Sequence, residues 1–128
     1  MLPKQNRVSK EKEFDAFFGL GFARKYGRNY SSQYLILKFY ENRLAVSRFG
    51  FVVSNKVDNR ATERNRIKRQ LREAVHSELK NLKKTVDAII VVKPAIKALK
   101  NEQIRAEVMA GLKAVRLIPP RPPKGGVA

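Results

Sequence analysis

Ten residues in the middle of the chain, RNRIKRQLRE at positions 64–73, include five cationic side chains. Ile67 and Leu71 recur among them at helical spacing. Arginine offers planar donors that can grip a phosphate at two points, and lysine offers a compact charge. Crowded cations repel one another, so this arrangement is favourable only when an anion lies against it. These residue types at this spacing predict the binding of a polyanion.

The same stretch indicates a long amphipathic helix that presents its cations outward. Its apolar stripe at helical period consists of Ile67, Leu71, Ala74, Val75 and Leu79. The residues that we predict to bind the polyanion are Arg64, Asn65, Arg66, Lys68, Arg69 and Arg72. Glu63 is the only acidic residue between Arg60 and Arg72. The alternative is that these residues form an ordinary solvated helix face. Such a face normally mixes both signs of charge, so the binding of a polyanion is the better interpretation.

The composition favours nucleic acid as the partner. A length of 128 residues fits one domain, and 43% hydrophobic residues exclude a disordered polycation. A formal charge of +17 favours nucleic acid first and an anionic membrane surface second. The absence of cysteine excludes disulfides, a thiolate nucleophile and a zinc ribbon. The N-terminus lacks a signal-peptide core and no apolar run is long enough to span a membrane, so we expect a cytoplasmic protein.

The N-terminal third predicts a helix followed by a basic linker. Ser9 is suited to cap the helix, and one helical face carries Phe14, Phe17 and Phe18. Three aromatic residues on one stripe are most simply core residues, and we assign Phe17 to the core. Phe14 and Phe18 fit a core role and a binding role equally well. Residues 23–33 are interpreted as the linker.

Two runs of strand-forming residues follow, at 34–40 and 44–54. Because only three residues separate them, we predict an antiparallel hairpin. Alternation in the second run directs one set of side chains toward the core, namely Phe49, Phe51 and Val53. The other set leaves a shallow surface open to a ligand, and it consists of Arg48, Gly50, Val52 and Ser54.

The C-terminal half completes the fold. After the basic helix, residues 85–92 are nearly all apolar and predict a buried strand. Asn101 is suited to cap a last helix, and the Pro/Gly-rich residues 119–128 are expected to be a disordered tail. The predicted fold is a single α+β domain over residues 1–118, with helices packed on a small mixed sheet in two layers. Its element order is α-β-β-α-β-α, and the basic helix connects two parallel strands.

Three segments in this order resemble one known family: VVSNKV ending a strand, RNRIKRQLREAV on a helix, and DAIIVVKPA after it. Together they are similar to the protein subunit of bacterial ribonuclease P. The resemblance implies a ribonucleoprotein that removes the 5′ leader of precursor tRNA, with the active site and its Mg²⁺ in the RNA subunit. It also implies a left-handed crossover around the basic helix. Residues 58–62 depart from the family pattern, with about one residue more before the basic helix.

The resemblance assigns two surfaces. It implies that the basic helix binds the catalytic RNA and that a cleft between the first helix and the sheet binds the single-stranded leader. The residues expected in this leader cleft are Phe14, Phe18, Arg48, Val52, Ser54 and Lys56. Aromatic rings there can pack on unstacked bases without reading their sequence. We expect no catalytic residue, no protein-bound metal and no obligate protein partner.

Other classes of protein share some of these features. A ribosomal protein or RNA chaperone has the same charge and a similar small fold, and would prefer ribosomal RNA. A DNA-binding protein places a basic helix in the major groove and would prefer duplex DNA. A membrane-surface role is least consistent, since the apolar side of the basic helix is needed for a core.

Overall fold

The computed structural model of the protein describes residues 4–7, 27–42 and 44–118. Its strands are β1 (Arg28–Ser31), β2 (Leu35–Glu41), β3 (Arg48–Val52) and β4 (Val86–Val92). Its α-helices are α1 (Ala61–Glu78) and α2 (Asn101–Ala114). Short 3₁₀ turns span Lys4–Asn6, Leu79–Asn81 and Pro94–Ala98. This arrangement confirms the predicted α+β domain with helices on a mixed sheet.

The sheet has the strand order β1-β2-β4-β3. Strand β4 pairs antiparallel with β2 and parallel with β3, so it lies between the two predicted hairpin strands. The predicted hairpin is therefore wrong. β4 is the most apolar strand, and six of its seven residues are buried in this central position, which outweighs the short β2–β3 connection. The parallel β3–α1–β4 crossover is confirmed, and its left-handed sense stays a prediction.

The stretch interpreted as a linker contains an additional strand. Residues Arg28–Ser31 form β1, which pairs antiparallel with β2 at the edge of the sheet. The predicted element order therefore lacked one strand. Three of the four β1 residues are exposed, so the alternation that marks a half-buried strand is absent from its sequence.

One face of the sheet packs against the two helices to form the core. From α1 the core takes Ile67, Leu71, Ala74 and Val75, the predicted stripe, with Leu79 partly buried against it. From the strands it takes Phe49 and the alternate residues of β2 and β4, Val53 joins it directly after β3, and Phe51 packs on its margin. The predicted direction of alternation in β3 is thus confirmed. Burial of this stripe fixes α1 on the sheet and leaves its opposite side outward.

Helix α2 closes the core over β1. Ile104, Val108 and Leu112 are buried, and the N-cap is Lys100, one residue before the predicted Asn101. A Cβ atom placed on Gly111 would lie 3.3 Å from two ring carbons of Tyr30 on β1. The absence of a side chain at this point lets the edge strand approach the helix closely.

The predicted first helix, with Ser9, Phe14, Phe17 and Phe18, lies outside the described residues, and so does the predicted tail at 119–128. Among the helices that are described, none has the length and apolar content needed to cross a membrane.

Candidate nucleic-acid interface

The outward face of α1 carries all six residues that the sequence assigns to polyanion binding. Asn65 and Arg69 are exposed, and the other four, Arg64, Arg66, Lys68 and Arg72, are half-buried at its margins. Within the described part of the chain, Lys68, Arg69 and Arg72 have no acidic partner within ion-pair distance. A depression of about 350 Å³ on this face is lined by Asn65, Arg69, Arg72 and Glu73. This surface, defined by the six residues, is called the basic face below.

Two members of the basic face also hold the protein together. Arg66 forms an ion pair with Glu63 at 3.2 Å and donates a hydrogen bond to the side-chain oxygen of Asn101, the first residue of α2. Arg64 donates through Nη1 to the backbone oxygen of Asp58 at 3.0 Å. These two arginines are thereby oriented by neighbouring segments. Arg69 and Arg72 make no such contact to any residue that the structure describes, and they are the cleanest probes of binding.

The start of α1 is organised by one buried carboxylate. The Asp58 side chain is 1% exposed, and its Oδ1 accepts hydrogen bonds from the backbone N–H and the Nε of Arg60, at 2.8 and 3.1 Å. Its Oδ2 lies 3.0 Å from both Arg60 Nη2 and Lys97 Nζ. The hydrogen bonds from Arg60 and Lys97 lower the pKa of Asp58 well below its ordinary range. The carboxylate is therefore ionised at neutral pH and ties the start of α1 to the Pro94–Ala98 turn.

The face of the sheet opposite the helices presents three rows of side chains across β2, β4 and β3. Register alone places Ile36, Val91 and Val52 in one row, and all three are half-buried. The next row is Lys38, Ile89 and Gly50, and the third is Tyr40, Asp87 and Arg48. An apolar end thus passes into a polar, charged end. We call this surface the cleft face.

The polar end of the cleft face is built around Asp87, whose side chain is 4% exposed. Arg48 donates to it through Nε, at 2.9 Å from Oδ1, and through Nη2 to Oδ2. Asn42 Nδ2 and the Tyr40 hydroxyl also donate, at 2.8 and 3.1 Å. Burial raises the pKa of Asp87, but the hydrogen bonds from Arg48, Asn42 and Tyr40 outweigh it and hold the pKa below its ordinary value. Asp87 therefore fixes the direction of the Arg48 guanidinium.

The structure brings together part of the predicted leader cleft. Arg48 and Val52 share the cleft face, while Ser54 and Lys56 are exposed in the segment that follows β3. The Ser54 carbonyl accepts a hydrogen bond from the N–H of Val57 at 3.0 Å, which turns the chain toward α1. Phe14 and Phe18 lie outside the described residues.

The N-terminal segment lines the outer edge of β3. Arg7 forms a parallel bridge with Phe49, and Asn6 Nδ2 donates to the Ser47 carbonyl at 2.7 Å. Asn6 is buried, so the segment is anchored next to the start of β3. Among the described residues, no group of three or more His, Cys, Asp or Glu side chains is arranged to hold a metal ion.

Comparison with known proteins agrees with this geometry. The family model described as Ribonuclease P matches residues 2–116. The chain belongs to the ribonuclease P protein family. A ribonuclease P protein component from Pseudanabaena sp. is 34% identical, over 87% of this chain and 99% of its own length. One from Syntrophomonas wolfei is 32% identical, over 91% of this chain and 92% of its own length.

Solved structures show the same fold. The RNase P protein of Staphylococcus aureus superposes with a TM-score of 0.76, covering 88% of this chain and 97% of its own, at 23% identity. The RNase P protein from Thermotoga maritima gives a TM-score of 0.70, covering 84% of this chain and 96% of its own, also at 23% identity. The predicted resemblance is thus confirmed. As a family member, the chain is a protein component of the ribonuclease P endoribonuclease, with a role in tRNA 5′-leader processing.

Sequence reasoning missed the two buried carboxylates of this ribonuclease P protein. Asp87 interrupts an apolar strand, and its partners lie far away in the sequence. Asp58 precedes the basic helix, and of its two cationic partners only Arg60 is a near neighbour in the sequence. A charged residue inside a buried strand does predict a paired charge, because burial of an unpaired one is costly. That signal identifies Asp87 as paired but does not name Arg48, which is 39 residues away.

Proposed function

We propose that this protein binds ribonuclease P RNA through the basic face of α1 and the single-stranded 5′ leader of precursor tRNA on the cleft face, in the cytoplasm. The observation that supports this most strongly is that α1 has one apolar side buried in the core and one cationic side turned outward. Its apolar stripe packs into the core, with Ile67 and Leu71 at 0% exposure. Arg69 and Arg72 on its other side have no ion-pair partner among the described residues. An unneutralised row of cations on a rigid element suits a folded polyanion.

The cleft face suits a single strand for a different reason. Its row of half-buried Ile36, Val91 and Val52 offers apolar area to unstacked bases. Lys38 supplies positive charge farther along the same face, and beyond it lies the Arg48 guanidinium, which is 26% exposed and held from beneath by Asp87. A surface with adjacent apolar and cationic parts can contact both the bases and the phosphates of a single-stranded RNA without selecting its base sequence. Magnesium is proposed to be held by the RNA subunit.

The basic face is tested by the salt dependence of RNA binding. The double variant Arg69→Ala, Arg72→Ala removes two outward cations that have no described structural partner. Its affinity for bacterial ribonuclease P RNA should fall, and the slope of log K against log salt should flatten by roughly 0.7 to 0.9 for each phosphate that is no longer neutralised. The matched control is Lys80→Ala, an exposed lysine in the turn after α1. A double variant with the wild-type slope would remove the basic face from the RNA interface.

A further inference from the structure

The Asp58 carboxylate gathers cations from two segments that are far apart in sequence. Arg60 precedes α1, whereas Lys97 belongs to the Pro94–Ala98 turn after β4. Both bind Asp58 at 3.0 Å, and Arg64 of the basic face donates to the carbonyl of the same residue at 3.0 Å. Three cationic side chains thus converge on one aspartate. We call Arg60, Arg64 and Lys97 the Asp58 cluster.

The Asp58 cluster has a surplus of positive charge at its surface. One carboxylate balances one of the three cations, so two positive charges are left over. The acid is 1% exposed, whereas the side chains of Arg60 and Lys97 are 62% and 52% exposed. The nearby carboxylate of Glu63 is engaged by Arg66. The negative charge of Asp58 is therefore buried beneath the cations, and the exposed side of the cluster, as far as the described residues form it, is positive.

Donors remain for such a ligand. A guanidinium has five N–H donors and an ammonium has three. Asp58 takes the Nε and one Nη2 donor of Arg60 and one donor of Lys97. No other described residue accepts a hydrogen bond from these two side chains. The remaining donors of Arg60 can grip a phosphate in the planar, two-point manner typical of arginine.

We propose that the Asp58 cluster is a second RNA-phosphate contact, continuous with the basic face through Arg64 and extending it onto the Pro94–Ala98 turn. This rests on the proposed function of the basic face. Asp58 acts as a positioning residue, because it holds Arg60 and Lys97 side by side without touching the RNA. Its low pKa keeps it charged throughout the neutral range.

The direction in which Asp58→Asn changes RNA affinity shows whether Asp58 acts by positioning cations or only through its charge. This variant raises the net charge by one, so general electrostatics predicts tighter RNA binding. Removal of the carboxylate also releases Arg60 and Lys97 from their shared position. We therefore expect weaker binding, by roughly fivefold, which is the size of the contribution of one ordinary hydrogen bond. Circular dichroism and thermal unfolding establish the folded fraction first. Tighter binding by the folded variant would overturn the proposal.

Lys97 provides a second test that leaves Asp58 in place. Lys97→Met keeps the length of the side chain and removes its charge. We expect about fivefold weaker binding to bacterial ribonuclease P RNA and a salt slope flatter by roughly 0.7 to 0.9. Lys97→Arg should restore both within twofold. Lys80→Met, at the other end of α1, loses the same charge and should bind as the wild type does.

Arg69→Ala, measured in parallel, distinguishes the two hypotheses. If Arg69→Ala weakens binding and Lys97→Met does not, the Asp58 cluster is only a structural ion-pair network, and the proposed function stands. If neither variant changes affinity or slope, the basic face itself is not the RNA interface. If Lys80→Met weakens binding as much as Lys97→Met, the effect is one of net charge, and the proposed local contact is wrong.

Discussion

Arg48 and Asp87 occupy paired positions on the parallel strands β3 and β4, and they form a two-point ion pair across the polar end of the cleft face. The carboxylate is 4% exposed and the arginine side chain 26% exposed. Asp87 is thus a buried support and Arg48 is the part of the pair that a ligand can reach. The direction of this arginine is set by the strand that the crossover places beside it.

The first prediction concerns the stability of this pair. Asp87→Asn keeps the shape of the side chain but leaves the Arg48 guanidinium half-buried without its counter-charge. We expect a loss of about 3 kcal/mol in the free energy of unfolding, at the lower end for a broken buried ion pair because Arg48 is 26% exposed. Urea unfolding at pH 7 measures it. Glu41→Gln, at an exposed acid at the end of β2, is the control and should change stability by less than about 0.5 kcal/mol. Equal stabilities of the two variants would contradict the assignment.

The second prediction is a pH dependence. Hydrogen bonds and ion pairs lower the pKa of Asp87 and of Asp58 in the folded protein. Such groups contribute stability that is fully present above the pKa of the unfolded chain, about 3.9, and is lost as the pH falls through the folded pKa. The stability difference between wild type and Asp87→Asn should be constant from about pH 7 to pH 5 and shrink below about pH 4. Urea unfolding at four pH values tests this, and a difference that widens in acid would refute it.

The third prediction concerns leader binding. Val52→Asp places a carboxylate in the apolar row of the cleft face, where it would repel a phosphate backbone. We expect the affinity of the assembled ribonucleoprotein for precursor tRNA to fall by roughly fivefold, a free-energy change of about 1 kcal/mol. Its affinity for mature tRNA should not change. Leu44→Asp adds the same charge at an exposed apolar residue in the β2–β3 connection and serves as control. Equal losses for both tRNAs would place the leader elsewhere.

The fourth prediction concerns the end of α2. Arg116 has a φ of 61°, the left-handed conformation that favours glycine, and the Leu117 N–H donates to the Leu112 carbonyl at 2.9 Å. Arg116→Gly should therefore stabilise the protein by about 1 kcal/mol. Lys113→Gly, within the last turn of α2, should destabilise it by a similar amount. Thermal unfolding of both variants decides the matter, and a destabilised Arg116→Gly would show that its side chain has a role that we have not identified.

The sequence predicted what depends on local periodicity. The stripe of α1, the alternation of β3 and the buried β4 follow from side chains at fixed spacing, and all three are confirmed. The position of the basic face could also be predicted, because its six residues lie on one helix; its role in binding stays a prediction. The family resemblance rests on residues in the same three elements.

What the sequence did not predict depends on pairing between distant segments. The short connection between β2 and β3 predicted that these two strands pair with each other. Instead β4 lies between them, because the central position buries its apolar side chains. The short β1 has no alternating pattern. The partners of Asp58 and Asp87 come from other elements, so the two carboxylates that position Lys97 and Arg48 are visible only after folding.

We propose that this protein enables a catalytic RNA to cut precursor tRNA and does not cut it alone. The first measurement to make is cleavage of a precursor tRNA by bacterial ribonuclease P RNA at low magnesium, with and without the protein. We predict correct 5′ cleavage when RNA and protein are combined, and none with the protein alone. The Arg69→Ala, Arg72→Ala variant should need a higher concentration to restore cleavage. Cleavage without any RNA, or failure to activate the RNA of its own source, would contradict the claim.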